Sequence, residues 1–97
     1  MVKSRPATVW PRPALIRAAR GLVGIDQATL ASRATVSRHA VMSIEGDESD
    51  EMDFRRLEVL KKLQACLEDD FGIEFLRPGK SGIGVRFRAA TVRSNKR

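Results

Sequence analysis

Three observations predict a mainly α domain of four to five short helices closed by a C-terminal β-hairpin. Apolar residues recur at helical spacing from Leu15 to Phe71. The breaking residues Gly24, Gly46 and Gly72 and the cap-forming Asp26, Ser37 and Asp53 divide that span into four pieces. At Ile73 the apolar period shortens from that of a helix to that of a strand.

Residues 1–12 read as an extended basic arm punctuated by Pro6 and Pro11. Pro13 then suits a first helical position, where its missing N–H costs nothing. Helix 1 is predicted over Pro13 to Val23, with Leu15, Ile16, Ala19, Leu22 and Val23 inward and Arg17 and Arg20 at the rim. Asp26 caps helix 2, over Gln27 to Ala34, and Ser37 caps helix 3, over Arg38 to Glu45. Gly46 ends helix 3, and Asp47 to Asp50 form a polar loop.

Helix 4 is predicted from Asp53, as its cap, to Phe71. Its apolar residues (Phe54, Leu57, Val59, Leu60, Leu63, Cys66, Leu67 and Phe71) cover about half the circumference, wider than the roughly 100° stripe that covers one core. Either the helix is deeply buried or part of this face meets a second subunit. Alternating runs at Ile73–Leu76 and Val85–Arg88, joined through Pro78, Gly79, Gly82 and Gly84, read as a hairpin. A lone hairpin is marginal in water, so this one must pack on the helices or pair with another chain. The basic segment 89–97 is expected to be disordered. The organisation is thus an arm over 1–12, a helical domain over 13–72, a hairpin over 73–88 and a tail over 89–97.

With 97 residues the chain forms one domain that needs neither disulfide nor structural metal. No apolar run approaches the roughly 20 residues that span a bilayer, and the N-terminus has no apolar stretch like that of a signal peptide. A single cysteine, Cys66, excludes an internal disulfide and fits a reducing cytoplasm. No metal or cofactor is expected. There is no nucleophile–base pair, no Gly-rich phosphate loop after a strand and no clustered carboxylates outside an exposed loop, so the expectation is not an enzyme. Net charge is +6, and its distribution carries more than its sum. The first twenty residues hold Lys3, Arg5, Arg12, Arg17 and Arg20 and no acid, while Arg77 to Arg97 are again basic and acid-free. Basic ends around a mixed centre suit a polyanionic partner.

The stretch Gln27 to Gly46, QATLASRATVSRHAVMSIEG, carries the functional signal. Leu30, Ala31, Ala34, Val36, Val41 and Ile44 fall at the offsets where two short crossing helices meet. Gln27, Ser32, Arg33, Arg38, His39 and Ser43 are left facing out. A helix-turn-helix lays one helix in a DNA major groove in this way.

From about Leu15 to Leu67 the chain resembles the phage-repressor/Cro-like (XRE) helix-turn-helix family of bacterial and phage transcriptional regulators. The residues that carry the resemblance are ALIRAARGLVGIDQATLASRATVSRHAVMSIEGD. A subgroup of such regulators is also similar downstream, at Gly72-Ile73-Glu74-Phe75 and Gly84-Val85-Arg86-Phe87-Arg88. The resemblance implies a four- to five-helix repressor-like DNA-binding domain, usually a homodimer on a palindromic operator. It implies that Gln27 donates to a phosphate, that Ser37, Arg38, His39 and Ser43 occupy the exposed recognition positions, and that Arg20 and Glu45 form a structural salt bridge. Two positions depart from the pattern. Thr35 stands where glycine is common in the turn, and the segment after helix 3 is acidic where phosphate contacts are often made.

Base contacts are therefore expected from Arg38, which can grip guanine O6 and N7, from His39, which would make binding pH-sensitive, and from Ser43. Phosphate contacts are expected from Gln27, Ser37, Arg17 and Arg33. Each of these side chains has a plainer alternative as part of a solvated surface. The leading function is a sequence-specific, operator-binding transcriptional regulator in the cytoplasm, acting on double-stranded DNA as a homodimer joined through helix 4, the hairpin or both. The alternative is a protein-binding regulator of the same fold, an antitoxin or an anti-activator or adaptor, motivated by the acidic loop over 45–53.

Overall fold

A computed structural model describes residues 9–79 and 82–89 of the chain. Four helices, α1 (Pro13–Val23), α2 (Gln27–Ala34), α3 (Arg38–Glu45) and α4 (Phe54–Phe71), precede strands β1 (Ile73–Leu76) and β2 (Gly84–Phe87). The expected arm before Val9 and the expected disordered tail fall, but for Ala89, outside the described residues.

Local chemistry accounts for the helix ends. Pro13 opens α1, and the side chains of Asp26, Ser37 and Asp53 accept from the backbone N–H three residues on, at 2.8, 3.0 and 2.9 Å. Helix α2 ends with Thr35 in the left-handed region, at φ 63° and ψ 45°. Its N–H and that of Val36 donate to the carbonyls of Ser32 and Ala31, which closes the last turn. The turn therefore keeps the backbone shape that glycine favours while carrying a β-branched residue, at a cost of about 1–2 kcal/mol. Gly46 ends α3 differently: at φ −91° and ψ 0° it stays right-handed, so its glycine is not needed for a left-handed cap.

One core joins all the elements. Ile16, Leu30, Val41, Ile44, Leu60, Leu63, Leu67 and Ile73 are essentially inaccessible to water. In the hairpin, Ile73 pairs with Phe87 and Phe75 with Val85, so these four side chains share one face. Ile73 and Phe75 are buried and Val85 packs against the core. The opposite face carries Glu74 and Arg86, ion-paired at 3.0 Å. Of the two possibilities for the hairpin, packing on the helices is realised: β2 lies against α1 and β1 against α4.

One inward position is corrected. Leu22 is half exposed; it lies about 70° from the centre of the buried stripe of α1, in its last turn, where none of the described residues covers it fully. The end of the segment read as an arm packs on the core, with Trp10 over α4. Val9, Trp10 and Pro11 are buried, Lys61 Nζ donates to the Trp10 carbonyl at 2.9 Å, and the Arg77 guanidinium stacks 5.1 Å from the indole centroid. Of the two possibilities for the wide apolar face of α4, deep burial is not realised. Leu60, Leu63, Cys66 and Leu67 are inside, whereas Phe54 is 76% exposed. Among the described residues no helix is long and apolar enough to cross a membrane.

Candidate nucleic-acid interface

Helix α3 buries Val41, Ile44 and Glu45 along one side. At about 100° per residue the opposite side falls on His39 and Ser43, with Met42 about 70° to one side; Arg38 lies beyond Met42 in the first turn, where the helix end leaves it open. Arg38 and His39 are exposed, and neither makes a side-chain hydrogen bond or ion pair among the described residues. Met42 lies between them and the far end of the helix, 43% exposed. This leaves a strip of one guanidinium, one imidazole and one thioether.

The seat of α3 is set by its last residue. Glu45 is 2% exposed, yet each carboxylate oxygen has a donor. Arg20 grips it with two parallel bonds, Nε to Oε2 at 2.8 Å and Nη2 to Oε1 at 3.0 Å. Gln27 Nε2 donates to Oε1 at 3.0 Å, and Arg20 Nη1 also reaches the Ile25 carbonyl at 3.1 Å. One carboxylate thus ties α1, α2 and the α1–α2 turn to the end of α3. The hydrogen bond to Glu45 pushes the Arg20 guanidinium further above its already high ordinary pKa.

A second arginine holds the same helix end from the other side. Arg56 of α4 donates to Ser43 Oγ at 2.7 Å, to the Ser43 carbonyl at 3.2 Å and to Asp47 Oδ2 at 2.7 Å. Arg17 Nη1 donates to the Glu45 carbonyl. The final carbonyls of α3, left without partners inside the helix, therefore face two cations, the favourable sign for a helix C-terminus. Hydrogen bonds from the Ser49 hydroxyl and backbone N–H, then the Arg56 guanidinium, lower the Asp47 carboxyl from 3.8 to about 2. Part of the acidic loop is thus spent on internal bonds.

The remaining expected contacts are placed as follows. Ser43 is half-buried under Arg56, so its hydroxyl oxygen is already occupied, unlike the free recognition position expected of it. Arg33 turns toward the end of α4, 3.3 Å from Asp70 and stacked 5.0 Å over Phe71, away from the α3 strip. Gln27 and Arg17 are engaged with Glu45 but keep further N–H groups unspent. The Ser37 oxygen caps α3 by accepting from Ala40, which leaves its hydroxyl proton to donate outward. Arg20, Asp26, Gln27, Ala28 and Arg38 line a shallow depression beside the strip. Asp26 is its one acid; the Thr29 N–H that it caps holds its carboxyl below the usual range, so it remains anionic and opposes a phosphate placed directly there.

Sequence reasoning missed Arg55 and Arg56. A second depression, between α3 and α4, is lined by His39, Ala40, Ser43, Ile44, Arg55, Arg56 and Val59. Arg55 is exposed at its rim and adds a cation beside His39. The available signal was the pair of arginines following the Asp53 cap, one turn into a helix that must pass the end of α3.

Chemically the surface offers guanidinium and amide donors around an exposed helix. Among the described residues no group of three or more His, Cys, Asp or Glu side chains is arranged to hold a metal ion. Models of known protein families give no match to the chain, and curated proteins give none.

Proposed function

We propose that the chain is a sequence-specific, DNA-binding transcriptional regulator of the repressor-like helix-turn-helix type. In this reading it acts in the cytoplasm as a homodimer on a palindromic operator, with α3 in the major groove. The observation that carries the reading is the exposed strip of Arg38, His39 and Met42 on a helix whose other side is locked by Glu45 and Arg56. A reading helix has to present free donors while its own position is rigid, and both conditions are met here. Arg38 suits bidentate contact with guanine, a contact that discriminates bases by about 1–3 kcal/mol, and Met42 offers an apolar surface to a thymine methyl. Gln27, Ser37, Arg17 and Arg55 flank the strip as phosphate donors, which position the helix without reading sequence.

Mobility-shift titrations at two salt concentrations test this reading. Log K should fall with log salt by about 0.9 per phosphate neutralised. Absence of salt-dependent binding would overturn it. Recovery of one host protein at stoichiometric yield, in place of DNA, would favour the protein-binding alternative, for which the exposed acids Glu48, Asp50 and Glu51 speak.

A further inference from the structure

The outward side of α4 presents an exposed stripe that neither the core nor the α3 strip uses, headed by Phe54 at 76% exposed. At about 100° per residue, Phe54, Glu58, Lys61 and Ala65 fall within roughly 30° of one line along the helix. That line is opposite the buried Leu60, Leu63 and Leu67, and all four residues are exposed. Their spacing of four, three and four residues is that of the contact seam of a two-stranded coiled coil. Phe54, Leu57, Glu58, Lys61 and Lys62 line an open, mainly apolar groove along it.

This stripe is complementary to itself when reversed. With a two-fold axis placed between Glu58 and Lys61, each Phe54 lies opposite Ala65 of the second copy, and each Glu58 lies opposite Lys61 of the second copy. The largest side chain of the seam meets the smallest, and each carboxylate meets an ammonium. A parallel pairing would instead set Phe54 on Phe54 and like charge on like charge. Lys61 Nζ donates to the Trp10 carbonyl at 2.9 Å and, more weakly, to Gln64 Oε1 at 3.4 Å, and its third N–H group remains for a carboxylate. We propose that the chain self-associates through antiparallel packing of α4 on α4 of a second copy, across the Phe54–Ala65 and Glu58–Lys61 contacts.

The pairing leaves the α3 strip open. Helix α3 packs on another side of α4, near Arg55, Arg56 and Val59, about a quarter-turn or more from the seam. It supplies the homodimer that the DNA-binding reading requires but rests on its own observation, and the two fail separately because self-association is measured without DNA. One helix pair buries less than a standard stable interface, so the dimer is weak and reversible.

Sedimentation equilibrium of the full chain, from roughly 1 µM to 1 mM, is the test. The natural sequence should shift from monomer to dimer over that range. Phe54→Ser should leave a monomer throughout with its melting temperature unchanged, because Phe54 is 76% exposed. Glu58→Lys should raise the dimer Kd about tenfold or more, since the like-charge contact occurs twice. The double variant Glu58→Lys/Lys61→Glu should return Kd to within about threefold of the natural chain. A monomer at every concentration, a dimer indifferent to Phe54→Ser, or a Glu58→Lys variant that pairs as before would each overturn the proposal. If Lys61→Glu lowers the melting temperature through the loss of its Trp10 contact, the two single variants decide.

Discussion

Removing the cation from the Arg20–Glu45 pair should cost more than removing the carboxylate, and removing both should cost least. The Glu45 side chain is 3% exposed and that of Arg20 22% exposed. In Arg20→Met the carboxylate stays buried with only the Gln27 amide as donor, a loss of about 3–5 kcal/mol. In Glu45→Leu the guanidinium can still turn partly to water, so the loss should be about 2–3 kcal/mol. The double variant leaves no buried charge. Its remaining penalty is the unpaired Gln27 amide and Ile25 carbonyl, about 1–2 kcal/mol together. The single losses therefore exceed the double by about 5 kcal/mol in sum, far above the few tenths expected of independent sites. For a chain whose total stability is about 5–15 kcal/mol, Arg20→Met alone should lower the melting temperature by about 15–25 °C. Urea unfolding followed by circular dichroism, run as a double-mutant cycle, gives these values. Additive single losses would refute the reasoning that the pair acts as one desolvated unit.

Arg38→Ala should leave the melting temperature within about 2 °C of the natural chain and reduce preference for the best DNA site by roughly 5- to 150-fold, read by competition titration. A large loss of stability would instead make Arg38 structural. Thr35→Gly relieves about 1–2 kcal/mol of left-handed strain and adds about 0.5–1 kcal/mol of chain entropy, so it should stabilise by about 0.5–1 kcal/mol in urea unfolding. The Asp47 carboxyl is lowered in the folded chain from 3.8 to about 2, so its stabilising contribution is fully present above about pH 4 and is lost as pH falls toward 2. In Asp47→Asn the loss of stability across that interval should be smaller than in the natural chain, measured by thermal melts at stepped pH.

Much of the fold was legible because it is written in local chemistry. The helix starts rest on Asp26, Ser37 and Asp53, each bonding its own first turn, and such caps are visible in sequence because donor and acceptor are three residues apart. Helix faces followed from periodicity, with Leu22 failing because a stripe predicts direction and not what lies above it. What was hidden depends on distant pairs. Trp10 and Lys61 are 51 positions apart, and Arg56 reaches Ser43 and Asp47 only once α4 has crossed the end of α3. The expected freedom of Ser43 and Arg33 was lost for the same reason. Each met a partner supplied by α4 that no local pattern announces. The exposed Arg38 and His39 remained exposed as expected, because none of the described residues covers them.

Selection of bound duplexes from a random oligonucleotide pool is the decisive measurement. A repressor-like regulator should enrich an inverted repeat whose half-site centres lie about one helical turn, roughly 34 Å, apart, with enrichment lost in Arg38→Ala. A pool that emerges unenriched, or enriched equally by the Arg38→Ala variant, would contradict the DNA-binding reading.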